Sequence, residues 1–285
     1  MTIILDGGLS SALTEQGYDL SHELWTARLI AENPGAIVAA HTAFLDAGAE
    51  VLITSSYQAS VDGFERTGAT KTEAQALLQS TTDLARQAVG DRSAVVAASV
   101  GPYGAVLADG SEYRGDYALS NGELVVFHRD RVRLLAETEP DWWACETIPT
   151  AAEAVAMGLA LSAVRKLPTW MTFTCRSASH TFGGDRIEDA VAAALSACDL
   201  SAVGVNCTAP RFVPELLERI RRVTDRPLVA YPNSGQTWDA TNKVWQGDPG
   251  ATDVTAWIAA GAEYVGGCCG VGPTELAHLA TLARS

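Results

Sequence analysis

Three cysteines in the carboxyl-terminal half of the chain stand where thiols are suited to metal chemistry. Cys207 follows one short apolar run, and the adjacent Cys268 and Cys269 follow another, with glycines on both sides of the pair. Such glycines permit the close backbone approach that a ligand-bearing turn needs. Three thiolates suit tetrahedral zinc and leave a fourth position open, as in catalytic zinc sites. The pattern predicts a catalytic zinc site, and the alternative is that the cysteines are small buried hydrophobic residues.

A zinc ion held by three thiolates is suited to reactions of a substrate thiol. Thiols ionise at about pH 8.5 in water, and coordination to zinc deprotonates a thiol outright. Four thiolates around one divalent ion leave net negative charge, which keeps the substrate sulfur electron-rich and nucleophilic. Zinc sites that catalyse hydrolysis prefer His and carboxylate ligands. We therefore expect a sulfur-alkylating enzyme, and the rival from another class is a zinc-storing or redox dithiol protein.

Polar residues also stand at the carboxyl-terminal ends of the apolar runs. Asp6, Thr54, Glu146, Asn206 and Asn233 each end such a run. Active sites of barrels built from parallel strands assemble on this face. The two carboxylates, Asp6 and Glu146, favour a cationic ligand such as the ammonium group of an amino acid. The alternatives are a turn or helix-cap role for Asp6 and a salt bridge for Glu146.

Eight short apolar runs recur along the chain, with helical stretches between them. Their almost continuous apolar character is typical of parallel strands that are buried on both faces. Eight β–α alternations without a boundary predict an α/β fold, a closed (β/α)8 TIM barrel that forms a single domain over residues 1–285. A doubly wound open sheet is the alternative, but Asp6-Gly7-Gly8 is too short for its usual dinucleotide-binding turn. The predicted strands are Ile3–Leu5, Val51–Ile53, Ala94–Val100, Trp142–Cys145, Thr169–Thr174, Ala202–Val205, Leu228–Tyr231 and Tyr264–Val265.

The intervals between the runs carry helix signals and one long polar segment. Asn33-Pro34 predicts an N-cap followed by proline at the first helical position, and Thr72–Gln75 fits a capping box. Residues 103–123 follow the third run and contain four glycines and three tyrosines. A long loop after a barrel strand is usually functional, so we expect a lid over the site. The alternative is a plain surface excursion.

The composition narrows the class of partner. The 285 residues are 47% hydrophobic and 19% charged, and the net charge of −14 repels nucleic acid and anionic membranes. No apolar run approaches the roughly 20 residues of a membrane-spanning helix, and the amino terminus lacks the basic start of a signal peptide. We therefore expect a cytoplasmic protein that acts on small molecules. In that compartment the six cysteines are expected to remain thiols.

Eight motifs are spread in order over nearly the whole chain. They are LDGG (5–8), TSSYQAS (54–60), GPYGA (101–105), LADGSEYRGDY (107–117), ETIP (146–149), GVNC (204–207), YPNSG (231–235) and GGCC (266–269). Together they resemble the motifs of one known family, the homocysteine S-methyltransferases. The resemblance implies a (β/α)8 barrel that methylates homocysteine to methionine.

The resemblance also assigns roles to individual residues. It implies a catalytic zinc ion held by Cys207, Cys268 and Cys269. It further implies that Asp6 and Glu146 bind the ammonium group of homocysteine. The expected substrate-binding residues are Asp6, Gly7, Thr54, Glu146, Asn206 and Asn233.

Within the family, the chain looks most like the short branch that uses S-methylmethionine as methyl donor. The feature that supports this resemblance is YPNSG followed by DATNKVW (239–245). Cobalamin-dependent methionine synthases carry added modules, and the betaine-using branch is longer. Many members of the S-methylmethionine branch have arginine directly after the cysteine pair, where this chain has Gly270, so Arg176 becomes the candidate for binding the substrate carboxylate. The alternatives are S-adenosylmethionine or betaine as donor, or a selenium compound as acceptor.

Overall fold

Eight parallel strands form the wall of a barrel, and each coincides with one of the predicted apolar runs. The computed structural model describes residues 2–20, 24–239, 244–247, 250 and 252–285. In chain order the strands are β1 (Ile3–Ile4), β2 (Val51–Ile53), β3 (Val95–Val100), β4 (Trp142–Ile148), β5 (Thr169–Phe173), β6 (Ala202–Asn206), β7 (Leu228–Tyr231), β8 (Thr237–Asp239), β9 (Val244–Gln246) and β10 (Ala262–Val265).

The sheet closes on itself. Its parallel strands follow the order β1-β10-β7-β6-β5-β4-β3-β2, and a parallel bridge between Leu5 and Val51 joins the two ends. There the Asp6 N–H donates to the Val51 carbonyl at 3.1 Å, and the Glu50 N–H donates to the Ile4 carbonyl at 2.7 Å. The (β/α)8 barrel is therefore confirmed. Strands β8 and β9 form an antiparallel pair outside it, and residues 240–243 of the DATNKVW segment lie outside the described residues.

Large aromatic side chains fill the barrel interior beside alanines. The ring of Trp142 lies 5.9 Å from the rings of both Trp170 and Tyr264. Ala97 and Ala144 belong to the same interior cluster, and their small side chains leave the volume that the rings occupy. A second, larger cluster packs the outer faces of the strands against the helices. The interior is thus a packed core, and the carboxyl ends of the strands are left to carry the site.

The helices follow the strands as the predicted alternation requires. Among the described helices, none has the length and apolarity to cross a bilayer. They are α1 (Leu9–Glu15), α2 (Ala27–Glu32), α3 (Pro34–Asp46), α4 (Val61–Arg66), α5 (Lys71–Val89), α6 (Tyr103–Leu107), α7 (Ser111–Arg114), α8 (Asn121–Ala136), α9 (Ala151–Leu161), α10 (Ile187–Ala197), α11 (Val213–Arg221), α12 (Val254–Ala259) and α13 (Pro273–Ala283), with a short 3-10 helix over Pro210–Phe212.

Two predicted helix starts differ in detail. The prediction of a capping box at Thr72–Gln75 is wrong, because Thr70 and Glu73 form the box. The same pattern occurs there two residues earlier, with a carboxylate as reciprocal acceptor, and the earlier start adds helical hydrogen bonds. Helix α3 begins at Pro34 as predicted, but the side chain of Asn33 donates to the Tyr18 hydroxyl at 3.1 Å instead of capping the helix.

Residues 103–123 are folded rather than a plain excursion. They contain α6, α7 and the start of α8. The buried carboxylate of Glu153 holds the segment, because it accepts hydrogen bonds from the Tyr103 N–H at 2.6 Å and from the Tyr117 hydroxyl. His128 Nε2 lies 3.0 Å from the same carboxylate. These contacts anchor the segment beside the carboxyl end of the barrel.

Candidate active site

The three predicted thiols meet at the carboxyl end of the barrel. The sulfur of Cys207 lies 2.9 Å from that of Cys268 and 3.5 Å from that of Cys269. The sulfurs of the adjacent pair are 4.0 Å apart, and all three residues are free cysteines. Among the described residues, this trio forms a group that can hold a metal ion. The predicted convergence of the three thiols at the ends of β6 and β10 is therefore what the barrel produces.

The backbone around Cys207 is held in an uncommon conformation. Its φ of 46° lies in the left-handed region, which costs about 1–3 kcal/mol for a residue other than glycine. Neighbouring strands support it, since the Cys207 N–H donates to the Tyr231 carbonyl at 3.2 Å. The Cys207 carbonyl accepts a hydrogen bond from the Thr174 hydroxyl at 3.1 Å. The turn after β6 is thus fixed from two sides, and it aims the thiol at the cysteine pair.

The turn after β10 positions the other two thiols. The Cys268 N–H donates to the Pro232 carbonyl at 2.8 Å, and the Cys269 carbonyl accepts from the Ser234 N–H at 2.9 Å. Gly270 follows with a φ of 78°, and a Cβ atom there would collide with the side chain of Ser234. An arginine at this position would therefore need a different turn. Arg176, the candidate to bind the substrate carboxylate in place of that arginine, is exposed. It is not among the described residues that line the cavity beside the three cysteines.

Hydrogen bonding among the thiols decides which one ionises first. Hydrogen bonding with the Cys268 and Cys269 thiols lowers the pKa of Cys207 well below its ordinary value. The Tyr113 hydroxyl lies 3.5 Å from the same sulfur and adds to this effect. Cys207 is therefore the natural first thiolate of the group.

Two buried carboxyl groups lie close to the thiols. Asp6 accepts a hydrogen bond from the Ile53 N–H at 2.8 Å, whereas its other oxygen is buried without a partner in the described structure. Burial raises the pKa of Asp6 well above its usual value, and the nearby Glu146 raises it further. Burial also raises the pKa of Glu146 to about 7, although the Ser99 hydroxyl donates to it. The charge of the buried Arg131 lowers the pKa of Glu146 in part, but neither acid forms an ion pair in the described structure, so both are suited to a positively charged ligand group.

These groups line one cavity of about 110 Å³. The three cysteines, Asp6 and Glu146 share it with a third carboxylate, Glu112. Within the described part of the chain, its lining includes no lysine, arginine or histidine. The cavity is therefore acidic and sulfur-rich, and it is suited to cationic ligands.

The remaining predicted substrate-binding residues take different places. Gly7 and Thr54 line the cavity. Asn206 lies behind it, where its Oδ1 accepts from the Thr147 N–H at 2.6 Å and its Nδ2 lies 3.9 Å from the sulfur of Cys268. Asn233 also lies outside the lining in the described structure, and its Oδ1 accepts from the N–H of Gly235 at 2.9 Å in the turn after β7. Asn206 therefore supports the strand end that precedes Cys207. Asn233 shapes the turn after β7, whose Pro232 and Ser234 hydrogen-bond to the backbone of Cys268 and Cys269.

Several residues of the site escaped prediction from sequence. Glu112 and Tyr113 reach it from α7, and Tyr231 lines it from the end of β7. Ser99 lies inside β3 and orients Glu146. The three tyrosines of residues 103–123 mark that segment as functional, but nothing in the sequence indicates which of them faces the thiols. Ser99 is a small polar residue within an apolar run, which is a weak signal at most.

Comparisons with known proteins give matches over nearly the whole chain. A family described as homocysteine S-methyltransferase matches residues 3–283. Homocysteine S-methyltransferase 4 of Zea mays is 41% identical, over 99% of this chain and 89% of its own length. A selenocysteine methyltransferase of Astragalus bisulcatus is 37% identical, over 96% of this chain and 90% of its own. The metallated crystal structure of the homocysteine methyltransferase MmuM from Escherichia coli is 38% identical, with a TM-score of 0.86 over 100% of this chain and 96% of that one.

Proposed function

Because this chain belongs to the homocysteine S-methyltransferase family, we propose that it transfers a methyl group from a sulfonium donor, S-methylmethionine, to the thiol of L-homocysteine. The product is methionine. The observation that carries the proposal is the meeting of three thiols and two buried carboxylates in one cavity. We further propose that residues 1–285 act as one homocysteine-binding domain in the cytoplasm, where free thiols persist.

The thiol group fits zinc as its metal. Tetrahedral zinc with Zn–S bonds of about 2.3 Å keeps its sulfurs about 3.8 Å apart, and the distances of 2.9, 3.5 and 4.0 Å bracket that value. A set of three thiolates also selects zinc over harder cations, which prefer oxygen ligands. Cys207, Cys268 and Cys269 would hold the ion. When bound, it supplies the charge that keeps a substrate thiol deprotonated at neutral pH.

The two buried carboxylates bind the acceptor. Asp6 offers an unpartnered buried oxygen, and Glu146 is oriented by Ser99. An ammonium group placed between them satisfies both acids and removes the cost of burying them. With the ammonium group fixed there, the short side chain of homocysteine reaches toward the three cysteines. Gly7 and Thr54 complete the wall of this pocket.

Methyl transfer then needs orientation and a dry site more than acid–base catalysis. The homocysteine thiolate attacks the methyl carbon, a new C–S bond forms, and the C–S bond of the sulfonium breaks with its electron pair left on the departing sulfur. The thiol proton goes to solvent. Anion and cation neutralise each other, so a cavity that excludes water favours the transition state. We propose that α6 and α7 act as the lid that keeps it dry, since Tyr113 already lies against Cys207.

The test uses zinc-loaded protein with S-methylmethionine and homocysteine labelled with ¹³C in its backbone. We expect two methionines for each S-methylmethionine consumed, one of them labelled. Absence of labelled methionine would contradict the proposed acceptor. Parallel reactions with S-adenosylmethionine and betaine test the donor, because the favoured donor is the one with the highest kcat/KM.

Selenocysteine is a second candidate acceptor. The observation in its favour is the 37% identity to the Astragalus bisulcatus selenocysteine methyltransferase over 96% of this chain. A selenol binds soft metal sites as a thiol does, and its ammonium group would meet the same two carboxylates. Competition between homocysteine and selenocysteine in one reaction gives the ratio of their kcat/KM values directly.

A zinc-storing or redox dithiol protein explains less of the site. Metal storage needs the three sulfurs but has no use for buried acids beside them, whose desolvation is costly. Titration with homocysteine distinguishes the two functions. The methyltransferase retains its zinc and changes from three to four sulfur ligands in X-ray absorption, whereas a store releases the metal.

A further inference from the structure

A third carboxylate lines the cavity, and it comes from a helix rather than from a barrel strand. Glu112 belongs to α7, whereas Asp6 and Glu146 end barrel strands. One of its oxygens, Oε2, is buried and has no hydrogen-bond partner in the described structure. Its neighbour Arg114 lowers the pKa of Glu112 through its charge, but that guanidinium forms its ion pair with Asp116 at 3.1 Å, and Glu112 has no ion-pair partner among the described residues. A carboxylate oxygen buried without a partner is costly unless a ligand supplies the cation.

The surroundings of Glu112 differ from those of the acceptor pocket. Glu146 raises the pKa of Asp6, whereas Glu112 interacts electrostatically with Cys269. Cys207 and the Tyr57 hydroxyl interact with both Glu112 and Glu146. Burial raises the pKa of Glu112 to about 7, and the charge of Cys207 contributes. Glu112 therefore belongs to the part of the cavity that lies against the thiols on the α7 side.

The reaction places the donor on that same side. The acceptor occupies the barrel side of the sulfur centre, with its ammonium group at Asp6 and Glu146. The donor must approach the nucleophilic sulfur in line, from the side that the acceptor leaves free. Helix α7 lies on that side, since Tyr113 lies 3.5 Å from Cys207. A sulfonium amino acid carries two positive charges, on its sulfur and on its ammonium group. The two acceptor carboxylates are already committed, so these charges need another acid.

We propose that Glu112 is the specificity-determining residue for the cationic methyl donor, which it binds through the sulfonium or ammonium charge. The inference rests on the proposed function and adds a second cation subsite to it. It also explains why the polar segment over residues 103–117 folds back onto the thiols. Loss of the charge is expected to weaken donor binding and leave acceptor binding intact.

The test compares Glu112→Gln with Glu218→Gln, which makes the same change at an exposed position of α11. Calorimetric titration of zinc-loaded protein with S-methylmethionine, without homocysteine, gives donor affinity independently of turnover. We expect Glu112→Gln to weaken S-methylmethionine binding roughly 10-fold or more, with zinc content and homocysteine binding unchanged. Glu218→Gln is expected to match the wild type. Glu112→Asp restores part of the affinity.

Methionine as a second titrant locates the charge that Glu112 meets, because it keeps the ammonium group and lacks the sulfonium. A loss confined to S-methylmethionine supports a sulfonium contact, and an equal loss for both supports an ammonium contact. Unchanged S-methylmethionine affinity in Glu112→Gln overturns the inference, and so does an equal loss of homocysteine affinity. If the wild type makes no methionine but Glu112→Gln still weakens sulfonium binding, the proposed function fails and the cation subsite stands.

Discussion

The hydroxyl of Tyr113 lies 3.5 Å from the sulfur of Cys207, across 94 positions of the chain. The tyrosine ring packs on Phe182 at a centroid distance of 5.6 Å, which fixes its orientation. Burial raises the pKa of Tyr113 well above its usual value, so the hydroxyl stays protonated and can donate to the sulfur. A donor at this position stabilises the thiolate form of a metal ligand.

Tyr113→Phe removes that donor and keeps the ring. We predict that zinc affinity falls roughly 10-fold, the lower end of what loss of an outer-shell partner costs a metal site. Competition with a chromophoric chelator measures the affinity. Tyr264→Phe is the matched control, because Tyr264 packs on Trp142 inside the barrel, away from the thiols. Equal zinc affinity in Tyr113→Phe and the wild type would show that the contact is packing alone.

Cys207→Ser tests the metal centre itself. The change removes one of three sulfurs that lie within 4.0 Å of one another. We predict loss of stoichiometric zinc and a fall in kcat/KM of more than roughly 100-fold, since even outer-shell partners contribute 10- to 100-fold. Chelation of the wild type has the same effect, and added zinc reverses it. Metal analysis and methionine formation are the measurements.

Cys198→Ser serves as the control for that variant. Cys198 ends α10, is half-buried and lies outside the thiol group. We expect it to retain zinc and activity at the wild-type level. Full activity in Cys207→Ser, or in chelated wild type, would exclude a catalytic role for the metal.

The barrel could be predicted from sequence because a strand that is buried on both faces has a continuous run of apolar residues. The barrel strands ended within a few residues of their predicted limits, and β4 extends three residues further, to Ile148. The extension carries Glu146, which is polar yet 6% exposed. A buried polar residue interrupts an apolar pattern, so such patterns end too early where a strand carries a site.

The meeting of the three thiols could be predicted for a related reason. The sheet order places β6 and β10 on either side of β7, so their carboxyl ends lie close together although they are distant in the chain. Glu112 and Tyr113 could not be assigned in this way, because α7 is a four-residue helix whose orientation depends on tertiary contacts. Those contacts include the packing of Gly104 in α6 against α7. They also include the hydrogen bonds that Glu153 accepts from Tyr103 and Tyr117.

Glu146→Gln tests the acceptor pocket. The amide keeps the shape of the side chain but removes the negative charge that Ser99 orients. We predict that the KM for homocysteine rises roughly 10- to 100-fold, since a hydrogen bond to a charged group contributes about 1.5–3 kcal/mol. The KM for the donor is expected to change little. Steady-state kinetics with each substrate varied in turn measure both values.

Glu218→Gln is the control for that charge change, because Glu218 is exposed on α11. It is expected to leave both KM values unchanged. If Glu146→Gln raised only the KM for the donor, Glu146 would be assigned to the donor pocket instead of the acceptor pocket.

His41 makes the stability of the barrel depend on pH. The residue is fully buried in α3, and both ring nitrogens lack hydrogen-bond partners in the described structure. Burial lowers the pKa of His41 to about 4, below its ordinary value of about 6.5. Above pH 6.5 the ring is neutral in both the folded and unfolded chains. Between pH 6.5 and 4 only the unfolded chain takes up the proton, so the free energy of unfolding decreases as pH falls.

The expected size follows from this difference in pKa. Between pH 7 and pH 5, His41 lowers the free energy of unfolding by roughly 2 kcal/mol. His41→Leu removes the titration, so urea unfolding at the two pH values is expected to show a smaller fall for this variant by that amount. His278→Leu, at an exposed position of α13, is expected to leave most of the fall in place. An identical fall in His41→Leu and the wild type would show that the pKa of His41 is not lowered in the folded protein.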